Sequence, residues 1–184
     1  HFLSSYKDLP FSAYQFQTKF RAEPRAKSGL LRGREFLMKD LYSFHASKED
    51  LEIFYIKAMA AYKKVFKRLS LDAKLVEASG GVFTKDYTHE FQVLTPVGED
   101  TIVYCTKCDY AQNKEIALVS GGHLCPKCGA DVMEGNAVEV GNVFRLGTRY
   151  SDAFDLKFTD KNGEKQPVVM GSYGIGPTRV LGTL

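Results

Sequence analysis

The pattern of hydrophobic and polar positions predicts a long β-hairpin near the start of the chain. Aromatic and aliphatic residues recur with a period near two at 11–20 and again at 30–44, and this alternation is typical of β-strands. The short segment 24–29 connects the two stretches. We therefore expect two long antiparallel strands.

A helix is predicted directly after the hairpin. Ser47 precedes Lys-Glu-Asp, a pattern typical of an N-cap followed by acidic residues in the first helical turn. Apolar residues at helical spacing follow, and the pattern ends near Leu69. The predicted apolar face consists of Leu51, Phe54, Ala58, Ala61, Val65 and Leu69.

Short strand patterns fill most of the remaining chain. They lie at 74–77, 89–95, 101–104, 137–146, 153–158 and 166–173, and residues 180–184 resemble the first turns of a helix. The sequence contains no internal repeat. The fold class that we expect is α+β, with an antiparallel β-sheet flanked by helices.

The composition is typical of a globular domain, and it limits the possible functions. With 184 residues, of which 44% are hydrophobic, the chain can form one core with at most a small appendage. The net charge of +3 is too small to hold a polyanion by itself. No stretch has the length of a membrane span and the N-terminus has no signal-peptide pattern, so we expect a cytoplasmic location.

Basic residues are nevertheless concentrated at 19–39, where only Glu23 and Glu35 oppose them. They are Lys19, Arg21, Arg25, Lys27, Arg32, Arg34 and Lys39. Two interpretations are open for this excess, namely a solvated strand pair and a local nucleic-acid contact.

The cysteines have a spacing typical of a metal site. They follow C-x2-C-x16-C-x2-C, in which two thiolate pairs face one tetrahedral ion, and they are Cys105, Cys108, Cys125 and Cys128. Gly129 stands where a tight turn favours a residue without Cβ. We expect structural Zn²⁺, because four protein ligands leave no open position. Two disulfides, an empty site, or His123 in place of one thiolate are the alternatives.

Two short motifs on the predicted hairpin bring charged and aromatic side chains together. FRAE ends at Glu23 and RGREF ends at Phe36. Arg21 and Glu23 are two residues apart and share one face of a strand. Arg32, Phe36 and Asp40 share a face of the returning strand. The hairpin is therefore expected to place both sets over one pocket.

A glycine-rich turn followed by an arginine forms a further motif. Residues 170–179 read MGSYGIGPTR and include Gly174, Gly176 and Arg179. A dinucleotide-binding fingerprint is the alternative interpretation. It requires the order G-x-G-x-x-G at the start of a parallel βαβ unit and a later acidic residue, for which this position leaves no room.

These motifs resemble the second and third signature motifs of class II aminoacyl-tRNA synthetases. Four longer stretches of sequence indicate which subgroup of this class the chain resembles, namely YQFQTKFR, REFLMKDLYSFH, HEFQV and VGNVFRLGTRYS. They are similar to bacterial-type prolyl-tRNA synthetases, and the similarity covers nearly the whole chain. The resemblance implies a class II catalytic core that activates proline with ATP and Mg²⁺ and charges tRNA(Pro). It also implies a homodimer in the full-length protein.

The resemblance assigns a role to each motif residue. Arg21 is implied to hold the α-phosphate, Glu23 to bind the adenine amino group and Phe36 to stack on adenine. Arg32 and Arg179 are implied to bind the outer phosphates, which completes a catalytic set of three arginines. Guanidinium groups suit bidentate phosphate binding, and aromatic faces stack on bases.

Other positions follow from the same resemblance. The glycines Gly174 and Gly176 would let the backbone approach ATP. Asp40 would hold Mg²⁺ or order Arg32 through a salt bridge, and the sequence does not separate these roles. The expected substrate-binding residues are His89, Glu90, Thr148 and Ser172. A structural histidine and a surface glutamate are the alternatives for the first two, and Ser172 stands where many relatives have cysteine.

The resemblance also divides the chain. Residues 1–104 and 136–184 are expected to be the two parts of the catalytic core. Residues 105–135 are expected to form a zinc-knuckle insertion where most bacterial relatives have an editing domain. The first signature motif, a Thr-x-Glu loop for proline and an anticodon-binding domain are expected beyond the two ends. The chain alone is therefore expected to have low or no activity.

Other functions remain open on the sequence. A zinc-ribbon nucleic-acid-binding module would explain the cysteines and the basic hairpin, but it leaves Glu23, Phe36 and Arg179 without a task. A catalytically silent synthetase paralogue would keep the fold alone, and the intact motif residues argue against it. A synthetase for threonine or serine is opposed by the longer strings.

Overall fold

The computed structural model describes residues 3–184 and contains a large sheet, a long helix and two short helices. The strands are β1 (Phe11–Phe20), β2 (Glu35–His45), β3 (Ala73–Ala78), β4 (Thr88–Leu94), β5 (Asp100–Cys105), β6 (Ala111–Asn113), β7 (Val132–Gly147), β8 (Lys157–Thr159), β9 (Lys165–Pro167) and β10 (Val169–Ile175). The helices are α1 (Lys48–Arg68), α2 (Arg149–Ala153) and α3 (Pro177–Thr183), with 3-10 turns at Tyr6–Asp8 and Gly29–Leu31. This confirms the α+β class.

The hairpin of β1 and β2 is confirmed, although its second strand begins later than predicted. The pairing runs from Phe11↔Phe44 to Phe20↔Glu35. Residues 30–34 were predicted as strand, and this was wrong. Leu31 ends a 3-10 turn and is buried, so the alternation of apolar residues there reflects packing of the loop and not a strand.

Eight of the strands form one sheet whose order is β1-β2-β10-β7-β4-β3-β6-β5, and β8 and β9 form a separate two-stranded sheet. All pairings are antiparallel except the single β3–β6 bridge, Glu77↔Gln112. The long β7 pairs with β4 and also with β5, so five strands close into a ring. Val76, Ile102 and Ala137 are fully buried there.

Helix α1 confirms the predicted boundaries and corrects the predicted face. The Ser47 hydroxyl accepts a hydrogen bond from the Asp50 amide at 3.2 Å, and the helix ends at Arg68. The buried residues are Leu51, Tyr55, Ala58, Tyr62 and Phe66. Three residues predicted on this face, Ala61, Val65 and Leu69, are exposed. The aromatic rings set the face, because Tyr62 and Phe66 pack against Phe91 and Tyr55 packs against Tyr173.

Two further segments differ from the sequence patterns. Residues 153–158 were predicted as a strand, but α2 ends at Ala153, the chain turns through Asp155, whose φ is +51°, and the strand, β8, begins only at Lys157. Strand β6 has three residues and was not predicted. Helix α3 confirms the predicted helix at 180–184 and begins earlier, with Pro177 at its first turn.

The two faces of the sheet have different partners. Leu41, Phe91 and Tyr173 belong to the core cluster that contains the buried residues of α1. Successive strand residues point to opposite faces. Gly174, which lies opposite Asn142 in the register, therefore faces away from α1. In residues 3–184, no helix is both long and apolar enough to cross a membrane.

Candidate functional site

A cavity of about 300 Å³ lies on the face of the sheet opposite α1. The β1–β2 hairpin, the end of β10 and the start of α3 meet here. Seven residues with a predicted role in ATP binding line it, and they are Arg21, Glu23, Arg32, Phe36, Gly174, Gly176 and Arg179. Two parts of the chain that are distant in sequence, 21–36 and 174–179, thus contribute to one concave surface.

The hairpin supplies an arginine and an aromatic ring that already touch. The Arg21 amide donates a hydrogen bond to the Arg34 carbonyl at 2.9 Å, which continues the pairing just beyond β1. The Arg21 guanidinium carbon lies 4.9 Å from the centre of the Phe36 ring, within cation–π distance. Stacking of a planar base on this face of Phe36 therefore requires the guanidinium to turn aside.

Glu23 and Arg32 form an ion pair inside the cavity wall. Arg32 Nη2 donates to Glu23 Oε1 at 3.0 Å, and Arg32 Nη1 donates to Glu99 Oε2 at 2.8 Å. The hydrogen bond from Arg32 is the main reason that the pKa of Glu23 lies below its ordinary value. Both groups are therefore charged at neutral pH, and each of the two Nη atoms of Arg32 is bound to a carboxylate.

The opposite wall is the turn from β10 into α3. A Cβ atom on Gly174 would lie 2.8 Å from Asn142 Oδ1 and 3.2 Å from Met38 Cε, so a side chain at this position would displace the ends of the Asn142 and Met38 side chains. Arg179 Nε donates to the Leu31 carbonyl at 3.1 Å, and Nη1 donates to the Glu139 carbonyl at 3.0 Å. These bonds fix the arginine beside the cavity.

Four polar residues of the cavity were not predicted, namely Glu99, Asp100, Glu139 and Asn142. Glu139 Oε1 accepts from Asn142 Nδ2 at 2.7 Å, and Asp100 Oδ2 accepts from Gln92 Nε2 at 3.0 Å. In the part of the chain that the structure describes, the buried Gln92 Oε1 has no hydrogen-bond partner. Carboxylate and amide oxygens are the ligands that Mg²⁺ prefers, so this donor set fits a hard cation.

Asp40 does not join the cavity, although it follows Phe36 on the same face of β2. Its carboxylate lies 2.8 Å from Lys19 Nζ. The predicted salt bridge between Asp40 and Arg32 is therefore wrong, because Arg32 pairs with Glu23 and Glu99. Asp40 sits four residues beyond Phe36, where the strand has already passed the cavity.

His89 lies on the other face of the sheet, against α1. Its Nδ1 is 2.9 Å from the Tyr55 hydroxyl, and burial lowers its pKa, helped by the Arg145 charge. Arg145 in turn binds Glu52 of α1 through two bonds of 2.7 Å. The structure does not bring His89 to the cavity, and its contacts correspond to the structural alternative.

The other three expected substrate-binding residues lie at different places relative to the cavity. Glu90 lies close to the acidic residues of the cavity, and Gln92 Nε2 donates a hydrogen bond to it at 2.9 Å. Burial, supported by the charge of Glu139, raises the pKa of Glu90 to about 7. Ser172 lies opposite Tyr42 and Phe144 in the register, on the cavity face. Thr148 precedes α2 and lines a separate open cavity, so it is not brought to this site.

The four cysteines converge at the far end of the ring of strands. Their sulphur atoms all lie within 4.8 Å of one another, with Cys105 3.5 Å from Cys128 and Cys108 3.6 Å from Cys125. The Lys107 amide donates to Cys105 Sγ at 3.3 Å, and this bond is the main cause that lowers the pKa of Cys105 to about 6. A thiolate is the form that binds zinc.

The glycine of the second knuckle behaves as predicted, and His123 does not join the cluster. Gly129 has a φ of +74°, and its amide donates to the Cys125 carbonyl at 2.8 Å. The exposed His123 has its Nδ1 3.0 Å from the Ser120 carbonyl. Four cysteine sulphur atoms that are close enough for one tetrahedral ion fit Zn²⁺, which binds cysteines in their thiolate form.

Comparison with known proteins connects this geometry to a family. The family model described as tRNA synthetase class II core domain (G, H, P, S and T) matches residues 1–184. The chain belongs to this family. The cysteine cluster is thus one part of a class II core and not a free-standing zinc ribbon.

The relatives of this class II core carry similar names. A protein of Sulfurimonas denitrificans named proline--tRNA ligase is 40% identical, over 99% of this chain and 46% of that protein. A protein of Rattus norvegicus named probable proline--tRNA ligase, mitochondrial, is 44% identical, over 96% of this chain and 37% of that protein. The chain spans less than half the length of these relatives.

The fold of the class II core is supported by a solved structure. The prolyl-tRNA synthetase of Cryptosporidium parvum, described as complexed with L-proline and AMP, matches with a TM-score of 0.70 and 20% identity. The match covers 98% of this chain and 30% of that chain. At this identity the likeness concerns the fold, and it confirms the predicted class II architecture.

Proposed function

We propose that this chain is the catalytic core of a proline–tRNA ligase, which joins proline to ATP as prolyl-adenylate and then transfers it to tRNA(Pro). The observation that carries the proposal is the convergence of three arginines, a glutamate and an aromatic ring on one cavity. The names of the relatives, which are 40% and 44% identical, support proline as the amino acid.

The cavity offers a separate group for each part of ATP. The Phe36 ring provides a flat apolar face for adenine. Glu23, which accepts bonds from Arg32 and from the Arg25 amide through Oε1, has a second carboxylate oxygen for the amino group of the base. Arg21, beside Phe36, is then the guanidinium nearest the α-phosphate.

The outer phosphates would meet two arginines from opposite walls. Arg32 comes from the hairpin and Arg179 from the first turn of α3. Both are held by carboxylates or carbonyls, so little side-chain freedom is lost when they bind phosphate. Placing fixed charge where a pyrophosphate leaves lowers the barrier without a covalent enzyme intermediate.

Mg²⁺ would be held by Glu139 and Asp100, with the Asn142 amide next to Glu139. Bound there, the cation would offset negative charge on the phosphate oxygens. Asp40 is not proposed for this role, because Lys19 neutralises it away from the cavity.

We further propose that residues 105–135 are a zinc-stabilised insertion in place of an editing domain, and that the core acts as a homodimer in the cytoplasm. The convergent thiols support structural zinc. A pocket for proline excludes the smaller alanine by only about 1–3 kcal/mol of lost contacts. We therefore propose that residues 105–135 do not themselves remove mischarged alanine.

The proposed activity is tested by ATP–pyrophosphate exchange on the full-length protein that carries this chain, with each of the twenty amino acids. We expect exchange that depends on proline. Exchange driven by another amino acid would contradict the proposed substrate. Absence of exchange with every amino acid would identify a catalytically silent paralogue.

The role of Arg21 is tested in the same assay. Arg21→Ala should lower the exchange rate about 100-fold, because loss of one well-placed donor costs about 3 kcal/mol. Arg25→Ala is the matched control, since Arg25 is an exposed arginine outside the cavity. An Arg21→Ala protein with the parental rate would contradict the assignment.

A further inference from the structure

Glu99 ties two basic residues of the hairpin loop to the opposite side of the cavity. Its Oε2 accepts from Arg32 Nη1 at 2.8 Å, and its Oε1 lies 3.0 Å from Lys27 Nζ. The Glu99 side chain is 29% exposed, whereas Lys27 is 56% and Arg32 39% exposed. The carboxylate therefore stands at the cavity mouth with one cation on each oxygen.

The backbone of the loop that carries these cations is held by its own hydrogen bonds and by the buried Leu31. The Lys27 amide donates to the Arg32 carbonyl at 3.1 Å and closes the loop. Between them, Ser28 and Gly29 both have a φ of +57°, which sets the backbone turn. Lys27 pairs with Glu99, and Arg32 pairs with Glu99 and Glu23, so Glu99 is the carboxylate that the two basic side chains share.

Glu99 is itself placed by a firm turn. The Gly98 amide donates to the Thr95 carbonyl at 3.0 Å, and a Cβ on Gly98 would lie 2.4 Å from the Ala137 backbone. The turn is therefore pressed against β7, and β5 begins at the next residue, Asp100. Because its backbone is fixed in this way, the Glu99 side chain can orient the long side chains of Lys27 and Arg32.

The charges suit this arrangement. Burial raises the pKa of Glu99, but the hydrogen bonds from Lys27 and Arg32 outweigh it, so the pKa lies below its ordinary value. Arg32 donates one bond to Glu99 and one to Glu23. A guanidinium has five N–H donors, so three N–H groups of Arg32 remain to bind phosphate while both hydrogen bonds stay intact.

We propose that Glu99 is a positioning residue of the nucleotide site, which holds Arg32 and Lys27 ready for the outer phosphates of ATP. The inference rests on the proposed function and refines it, because it adds Lys27 to the phosphate-binding groups. Without Glu99, Lys27 would lose this ion pair and Arg32 would keep only its bond to Glu23, so more side-chain freedom would be lost at the moment of binding, which weakens affinity.

The test uses Glu99→Gln in the full-length protein, which keeps the shape of the side chain and removes its charge. In ATP–pyrophosphate exchange, the KM for ATP should rise roughly fivefold to twentyfold, while the KM for proline stays at the parental value. Glu99→Asp, which keeps the charge, should recover part of the loss. Glu164→Gln is the matched control, because Glu164 is exposed and remote from the cavity.

A double-mutant cycle with Lys27→Met separates positioning from general destabilisation. If Glu99 acts by holding Lys27 and Arg32, Glu99→Gln should raise the KM for ATP less in the Lys27→Met background than in the parent. Equal thermal midpoints of the variants would show that folding is preserved. A purely structural role would lower the midpoint and would leave the two effects on the KM independent.

The outcomes distinguish this inference from the proposed function. A Glu99→Gln protein with an unchanged or lowered KM for ATP would overturn the inference alone, since a lower KM means that Glu99 competes with phosphate. If the parent shows no proline-dependent exchange, the proposed function fails. Titration calorimetry with ATP then still tests the inference, because weaker binding by Glu99→Gln supports it and equal or tighter binding overturns it.

Discussion

At the scale of single residues, Gly174 limits what the cavity wall can accept. It lies between β2 and β7, opposite Asp40 and Asn142 in the register. Gly176, two residues on, has more room, because its Cβ would meet its nearest neighbour at 3.5 Å. The two glycines of one motif thus carry different constraints.

Gly174→Ala should therefore destabilise the protein by about 1 kcal/mol, because the Asn142 side chain must shift and its hydrogen bond to Glu139 would weaken. The new methyl group would meet Asn142 Oδ1 at 2.8 Å. Urea unfolding of the variant measures the loss, with Gly176→Ala as the control that should change stability less. Equal effects of the two substitutions would contradict the packing argument.

His89 makes a second residue-scale prediction, because burial lowers its pKa in the folded protein. A folded-state pKa below the unfolded value means that protonation favours the unfolded chain. The stability that neutral His89 contributes is present at pH 8 and is lost as the pH falls through about 6.5, its ordinary pKa.

His89→Gln should thus flatten the decrease of the urea midpoint between pH 8 and pH 5, and His123→Gln, at an exposed position, should not. The KM for proline should be unchanged in His89→Gln. A raised KM for proline with unchanged pH dependence of stability would instead assign His89 to the substrate.

At the scale of elements, the period of hydrophobic residues predicts those strands and helices whose contacts recur at regular spacing. The hairpin alternates because one strand pairs along its full length with the other, and α1 has a cap at Ser47. The apolar face of α1 was misassigned because Tyr55, Tyr62 and Phe66 count as core only when their partners in the sheet are known. Short elements such as β6 carry too few residues for any period.

The zinc knuckles give the prediction at this scale. The full-length protein should contain one zinc per chain, and Cys108→Ser should lose it and lower the thermal midpoint by roughly 5 °C or more, since metal binding contributes to folding. Metal analysis and a thermal scan measure both effects. His123→Ala should keep the metal, because His123 bonds to the Ser120 carbonyl. Loss of zinc from His123→Ala would contradict the four-thiolate site.

At the scale of the whole molecule, the cavity combines residues that the sequence could and could not predict. Arg21, Glu23 and Phe36 lie in local motifs, so spacing on a hairpin was enough to bring them together. Glu99 and Glu139 reach the cavity only because five strands close into a ring and β7 joins β4, β5 and β10. No local sequence pattern predicts that these five strands close into a ring.

Two predicted residues lie outside the cavity for local reasons. His89 opens the sequence HEFQV, and the alternation of β4 turns it toward α1 with Phe91. Thr148 follows β7 after Gly147, whose φ of +60° redirects the chain into α2. Their assignment to the substrate stays a prediction, because the cavity contains the residues predicted for ATP.

A crystal structure of the full-length protein with a non-hydrolysable ATP analogue and proline tests the central claim most directly. The account predicts adenine stacked on the Phe36 ring, the α-phosphate bonded to Arg21, and the outer phosphates between Arg32 and Arg179. A nucleotide bound outside this cavity, or one whose phosphates contact none of the three arginines, would contradict it.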